Sequence, residues 1–188
     1  MAVKPTNEEQ TAMLLSECCK EGRIGDYYGA VVARNEEECI TSALSSIFSL
    51  KRQGRESEAR AFIMQGLLTL SKAFNRGVGM SAEQLALTID LFMEDPMLPN
   101  MKLDDIKLCF RRAMTGEYGE CYGLDPSTIM IWLKKYWKGR CDAAERVTIR
   151  EQKAERDRPV EKDAAWHQAV QDLARHMSEW RGQRKQQR

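Results

Sequence analysis

Proline and glycine are scarce in this 188-residue chain, which contains 5 and 12 of them. Runs in which valine, isoleucine or threonine alternate with polar residues are nearly absent, so the period of two that marks a β-strand is missing. The chain is 43% hydrophobic and 30% charged, which is enough for an apolar core beneath a charged surface. The sequence therefore predicts an all-α protein, a multi-helix bundle with a charged helical extension at its C-terminal end.

The chain also lacks a strong net charge and any long apolar run. Its formal net charge is +1, too small for the whole molecule to be attracted to nucleic acid or to an anionic membrane. The N-terminal MAVKPTNEEQ contains no apolar run typical of a signal peptide, and no apolar run is long enough to span a bilayer. We expect a cytoplasmic protein with no membrane partner.

Residues that usually carry out catalysis or bind metals are few. The six cysteines form no Cys-x-x-Cys pair, and in a reducing compartment they would act as small apolar residues. The two histidines, His167 and His176, would face opposite sides of a helix. Neither a glycine-rich phosphate loop nor a nucleophile elbow is present. These absences predict a non-enzymatic protein with no metal and no cofactor.

Cap residues predict where the helices of the body begin and end. Capping-box pairs mark three starts, at Thr6 with Glu9, Asn35 with Glu38, and Ser81 with Gln84. Asp125 followed by Pro126 marks a further start. Glycines that follow apolar helical patterns predict the stops, at Gly22, Gly54, Gly77, Gly116 and Gly139.

Between these signals we expect six helices. GRIGDYYGA, after the first helix, would be a loop. The second helix would run unbroken from Asn35 to just before Gly54, with Phe48 on its apolar face, and the third from about Ser57 to Arg76, with Leu68 buried. The fourth would end at DPMLPN, because proline cannot donate the amide hydrogen that a helix interior requires.

The fifth and sixth predicted helices occupy the window from Leu103 to Gly139. In the fifth, Asp104 and Asp105 lie in the first turn, where acidic side chains interact favourably with the helix dipole. In the sixth, five apolar residues share one face and predict core packing, namely Ile129, Trp132, Leu133, Tyr136 and Trp137.

The composition changes after Gly139, and we place the domain boundary there, with a helical body over residues 1–140 and a charged extension over 141–188. Residues 142–158 contain five acidic and five basic side chains and few apolar ones, a composition typical of a solvated helix or a disordered segment. Beyond Pro159 an amphipathic helix is predicted. Its apolar residues recur at spacings of four and three, at Trp166, Val170, Leu173, Met177 and Trp180.

Two surfaces are candidate interfaces. Residues 102–140 carry eight basic and five acidic groups, and seven of the basic groups are candidate nucleic-acid contacts: Lys107, Arg111, Arg112, Lys134, Lys135, Lys138 and Arg140. Tyr118 and Tyr122, in the loop between the two helices, would stack on bases if they faced solvent. The alternative is a solvated lysine face and tyrosines that anchor the loop. The second surface is the apolar row from Trp166 to Trp180, a predicted partner-binding site, because exposed tryptophans are common hot-spot residues; packing onto the body remains its alternative.

Three segments carry a resemblance to a known family: LDDIKLCF, TGEYGECYG and IMIWLKKY, within Leu103 to Tyr136. This region resembles an uncharacterised family of small α-helical proteins of phages and mobile elements of gut bacteria. The resemblance implies an accessory role in DNA replication or a related nucleic-acid transaction, similar to that of helicase loaders, with DNA and a replication protein as expected partners. It assigns no catalytic residue. A second hypothesis is a protein–protein adaptor, or an inhibitor of a host enzyme, that acts through the C-terminal helix.

Overall fold

Every regular element that the structure describes is a helix, which confirms the all-α prediction. The computed structural model describes residues 7–74, 79–121, 123–157 and 167–177. The body contains α1 (Asn7–Lys20), α2 (Ile24–Ala30), α3 (Glu36–Thr41), α4 (Ile47–Arg52), α5 (Glu56–Ala73), α6 (Ala82–Glu94), a 3-10 turn (Leu98–Asn100), α7 (Leu103–Met114) and α8 (Pro126–Asp157). A further helix, α9, covers residues 167–177.

The predicted helix starts agree with the structure wherever they fall within the described residues. Ser81 and Gln84 form a complete capping box at the start of α6. The Asn35 side chain accepts a hydrogen bond from the backbone amide of Glu38 at 2.9 Å. Asp125 does the same for Thr128 at 2.8 Å. The cap predicted at Thr6 lies outside the described residues. Because each cap satisfies an amide that has no partner within its helix, these short polar motifs fix the helix boundaries locally.

Gly54 and Gly116 end helices as predicted, whereas the stop predicted at Gly139 is wrong. Gly54 has φ of 71° and Gly116 has φ of 82°, and in each case the next amide bonds to the carbonyl five residues earlier, a Schellman arrangement. Gly139 instead lies within α8, which continues to Asp157. The helix continues because Ala143 and Val147 extend its buried face beyond the glycine.

Two further predictions about the N-terminal half are wrong. GRIGDYYGA contains helix α2 rather than a loop; Tyr27 and Tyr28 are buried and their rings pack against Phe62 of α5, so tertiary packing supports a short helix that has weak sequence signals. The second predicted helix, expected to run unbroken from Asn35 to just before Gly54, ends at Thr41. The chain then runs extended before α4, and Phe48 is 49% exposed.

The break between α3 and α4 has a clear cause in backbone pairing with a distant segment. The Ile47 amide donates to the Met101 carbonyl at 3.0 Å, and the Leu103 amide donates to the Ser45 carbonyl at 3.3 Å. Ser46 and Lys102 thereby form an isolated antiparallel bridge. This pairing lies between residues more than fifty positions apart, so no local sequence pattern predicts it.

The core lies where α5 meets α7. Gly66 of α5 has no side chain, and the ring of Phe110 from α7 occupies the adjacent space. A β-carbon added at Gly66 would lie 2.7 Å from the nearest ring atom of Phe110 and 3.2 Å from Tyr28. The predicted apolar face of α8 is largely buried, at Ile129, Trp132, Leu133 and Tyr136. Leu68, predicted to be buried, is 38% exposed, because it lies on the outer side of α5.

The chain divides into two compact units, Met1–Thr148 and Ile149–Arg188. The sequence places this boundary after residue 140, at the glycine that α8 in fact passes through. In the second unit the end of α8 and the whole of α9 are exposed. Residues 158–166 and 178–188 lie outside the described part of the chain.

Candidate nucleic-acid and partner interfaces

Lys107, a predicted nucleic-acid contact, lies against the C-terminal end of α2. Its ammonium donates to the carbonyls of Tyr28 at 2.6 Å and Gly29 at 2.8 Å, and to that of Val31. These carbonyls lack a partner within the helix, so the lysine completes the end of α2. Burial lowers the pKa of Lys107, and the positive charge of Arg111 lowers it further. The ammonium therefore stabilises a helix terminus within the body.

Arg111 and Arg112, the next two predicted contacts, connect α7 to the segment around α3. Arg111 donates to the carbonyl of Arg34 at 3.1 Å. Arg112 binds both carboxylate oxygens of Glu36, one of them at 2.8 Å, and also lies 3.3 Å from Glu117. The hydrogen bond from Arg112 holds the pKa of Glu36 below its ordinary value. Two-point binding of a half-buried carboxylate is typical of a fixed structural ion pair.

Arg140 belongs to a buried cluster around Asp105, which we call the Asp105 cluster. The Asp105 carboxylate accepts the hydroxyl of Tyr136 at 2.7 Å and the Arg140 guanidinium at 2.8 Å. It also accepts the backbone amide of Lys102 at 2.9 Å. Tyr136 and Arg140 are four residues apart on α8, so one carboxylate of α7 binds two successive turns of α8. The cluster fixes the position of α8 against α7.

The two aspartates of α7 do lie in its first turn, as predicted, but their burial is a feature that the sequence analysis missed. Asp104 is 2% exposed. Burial raises its pKa to about 6, and the negative charge of Asp105 adds to the effect, whereas a hydrogen bond with Ser42 and the positive charge of Lys102 oppose it. The available signal was that Arg140 follows Tyr136, a member of the predicted apolar face, by four residues, which places a cation in line with that face.

The loop after α7 is anchored through its first tyrosine. Tyr118 stacks on Trp132 with ring centroids 6.1 Å apart, and Phe74 also stacks on Trp132, with ring centroids 5.6 Å apart. The Tyr118 hydroxyl lies 3.7 Å from the Cys109 sulfur, and burial raises the pKa of this tyrosine. Tyr118 therefore packs at the edge of the core. Tyr122 lies outside the described residues.

The remaining three predicted contacts share the exposed side of α8, and we call Lys134, Lys135 and Lys138 the lysine face. All three are exposed. The ammonium of Lys134 lies 3.6 Å from the Asp95 carboxylate, with 59% of the lysine side chain exposed. The ammonium of Lys135 lies 5.6 Å from the centre of the Tyr118 ring. Unlike Lys107 and Arg140, these lysines present their charge to solvent.

The C-terminal row of apolar residues is described only in its central part. Val170, Leu173 and Met177 of α9 are 46%, 61% and 48% exposed. Trp166 and Trp180, the outer members of the predicted partner site, lie outside the described residues. We call the five positions together the C-terminal seam. Its described part presents an apolar stripe to solvent, flanked by Ala169 and His176 on one side and by His167 and Ala174 on the other.

A metal-binding cluster and a membrane-spanning helix are two features that the described residues do not contain. Among them, no group of three or more histidine, cysteine or acidic side chains is arranged to hold a metal ion. None of the described helices combines the length and apolar character needed to cross a membrane. The cysteines are free thiols, and burial raises the pKa of Cys109 to about 12, which leaves that sulfur protonated and unreactive at neutral pH.

Comparison with known proteins identifies no relative of this chain. No protein-family model matches the chain, and no significant similarity to a curated protein or to a solved structure is found. The geometry of the chain itself therefore carries the functional argument.

Proposed function

We propose that this chain is a non-enzymatic accessory protein that binds DNA through the lysine face and a protein partner through the C-terminal seam. DNA replication, or a related nucleic-acid transaction, is the proposed setting, by resemblance of Leu103–Tyr136 to proteins of phages and mobile elements. The observation that carries the DNA part is the outward position of Lys134, Lys135 and Lys138 on one exposed side of α8.

The other predicted cations contribute little to this interface, for a geometric reason. Lys107 binds helix carbonyls, Arg112 binds Glu36 and Arg140 binds Asp105. A phosphate would have to compete with these contacts, and breaking a partly buried ion pair leaves a charge without its partner. On the lysine face, Lys134 lies 3.6 Å from the Asp95 carboxylate, but 59% of its side chain is exposed, so the cost of binding phosphate is smaller there. We therefore assign the phosphate contacts to the lysine face and a stabilising role to Arg140 and the cations of α7.

The test is charge reversal of the lysine face. The triple variant K134E/K135E/K138E should bind a duplex of about 20 base pairs much more weakly than the unmutated protein at low salt, in fluorescence anisotropy. The matched control reverses three exposed lysines on other helices, Lys20, Lys51 and Lys72. Both variants have the same net charge, so a general electrostatic effect would weaken both equally. Equal loss in the two variants, or no DNA binding by the unmutated protein, would refute the DNA part.

A second candidate function is a protein–protein adaptor, or an inhibitor of a host enzyme, in which only the C-terminal seam binds. The exposed stripe of Val170, Leu173 and Met177 favours it, because a helix with one apolar side can bind in a partner's groove. Deletion of residues 149–188 distinguishes the two candidates. An adaptor would lose its partner in a pull-down from native cells, whereas the remaining body would still bind DNA if the lysine face is the DNA site.

A further inference from the structure

The exposed side of α8 changes the sign of its charge within about one helical turn. The lysine face ends at Lys138, and Asp142 and Glu145 follow it. A helix turns about 100° per residue, so the positions four and seven residues ahead return to within about 40° of Lys138. Both acids are exposed, and within the described residues neither takes part in an ion pair. Positive charge on this side of α8 is therefore followed directly by negative charge.

The neighbouring charges do not offset this change of sign. Arg146 is the next cation along α8. The hydrogen bond from Arg112 lowers the pKa of Glu36, and the positive charge of Arg146 lowers it further, so Arg146 lies near a carboxylate of α3 and does not extend the lysine face. A third carboxylate, that of Asp95, lies 3.6 Å from the ammonium of Lys134, but the Asp95 side chain is only 9% exposed.

The length of the lysine face matches a single DNA strand. Lys134 and Lys138 are four residues apart, which is about 6 Å along the helix axis. One strand of B-DNA presents a phosphate about every 3.4 Å along the duplex axis, so this length corresponds to two or three successive phosphates. The major groove between the two strands is about 12 Å wide. A longer contact that reached across it would use the next two turns of α8, which carry Asp142 and Glu145.

Those two carboxylates disfavour the longer contact, because like charges brought together in an interface weaken binding. We propose that the lysine face binds the phosphate backbone of one DNA strand, and that Asp142 and Glu145 keep the second strand of a duplex away from α8. Single-stranded and double-stranded DNA are then bound through the same contact, which carries no sequence information. This inference rests on the DNA function proposed above and specifies the form of DNA that the site accepts.

The experiment compares two probes by fluorescence anisotropy, a 20-base-pair duplex and a 20-nucleotide oligothymidine. At low salt the unmutated chain should bind the two probes with affinities within about fivefold of each other. The variant K134E/K135E/K138E should bind both more weakly. Three phosphate contacts should give a slope of log K against log salt of about −2.7 for the duplex and about −2.1 for the single strand.

Neutralising the two acids tests their part in the choice of strand. D142N/E145Q should bind the duplex at least about threefold more tightly than the unmutated chain, with a smaller gain for the single strand, which can bend away from the acids. E17Q/D26N is the matched control, because it makes the same two kinds of substitution at exposed acids of α1 and α2. It should change the duplex affinity by less than about twofold.

The outcomes separate this inference from the proposed function. A chain that binds neither probe overturns both. Duplex binding that the oligothymidine does not share overturns the inference alone, because both strands are then required. The inference also fails if D142N/E145Q gains no more duplex affinity than E17Q/D26N, since the acids of α8 then have no special effect on the second strand.

Discussion

Removal of the Asp105 carboxylate should destabilise the body more than any exposed substitution. D105A deletes the acceptor of three donors at once: the Tyr136 hydroxyl, the Arg140 guanidinium and the Lys102 amide. The side chain of Asp105 is fully buried, and that of Arg140 is 13% exposed, so the guanidinium is left with little access to water. Removing one partner of such a pair typically costs about 3–5 kcal/mol, a large part of the ~5–15 kcal/mol by which a domain is stable.

Equilibrium urea denaturation, followed by circular dichroism, measures this loss. With a slope of about 2 kcal/mol per molar urea, the midpoint should fall by roughly 2 M. D142A is the matched control, because Asp142 is an exposed aspartate on α8, and its effect should stay within about 0.5 kcal/mol. A double-mutant cycle of D105N with R140M should give a coupling energy of about 1–3 kcal/mol. If D105A costs less than ~1 kcal/mol, or if D142A costs as much, the Asp105 cluster does not hold α8 against α7.

Two further predictions concern the same body. G66A should destabilise it by about 1–3 kcal/mol, because the new methyl group would meet the Phe110 ring at 2.7 Å. G139A should be neutral or stabilise by up to ~1 kcal/mol, because the nearest atom to its new methyl group would be a Glu36 carboxylate oxygen at 3.9 Å, an ordinary contact distance. Equal effects in thermal denaturation would contradict the close approach of α5 and α7. Burial raises the pKa of Asp104 from 3.8 to about 6, so between these two values the folded state binds a proton that the unfolded state releases, and stability falls as pH rises through this window. D104N cannot ionise, so its stability relative to the unmutated chain should increase between pH 4 and 7 by up to ~3 kcal/mol; a pH-independent difference would show that the carboxyl group titrates normally.

The parts of the fold that follow from sequence are those fixed by nearby residues. The caps at Asn35, Ser81 and Asp125 and the stops at Gly54 and Gly116 each depend on hydrogen bonds within a few positions. The buried face of α8 follows from its helical spacing in the same way. Such signals are complete within one short window, and so the sequence alone suffices to predict them.

The errors arise where distant residues decide the structure. The interruption after Thr41 depends on backbone pairing with Met101 and Leu103, and α2 depends on packing against Phe62. The burial of Ala143 and Val147 carries α8 past Gly139. A local helix-stop signal is weak against continued burial of a helix face, because tertiary packing supplies most of a helix's stability.

The charged side chains of the candidate site show the same limit of prediction from sequence. Sequence spacing identified seven cations near one another, but it could not tell a lysine that binds helix carbonyls from one that faces solvent. Lys107 and Lys135 both lie on predicted helices within the same window, yet one completes the end of α2 and the other is exposed. The positions of α2, α3 and α8 relative to α7 separate the stabilising cations from the lysine face.

The salt dependence of DNA binding tests the central claim most directly, namely that three lysines of α8, and not the cations of α7, contact phosphate. Each phosphate contact contributes about −0.9 to the slope of log K against log salt, so one lysine face should give a slope of about −2.7 on a 20-base-pair duplex. The slope should fall towards zero in K134E/K135E/K138E and stay unchanged in the control with Lys20, Lys51 and Lys72 reversed. A slope that both variants share with the unmutated protein would contradict the account.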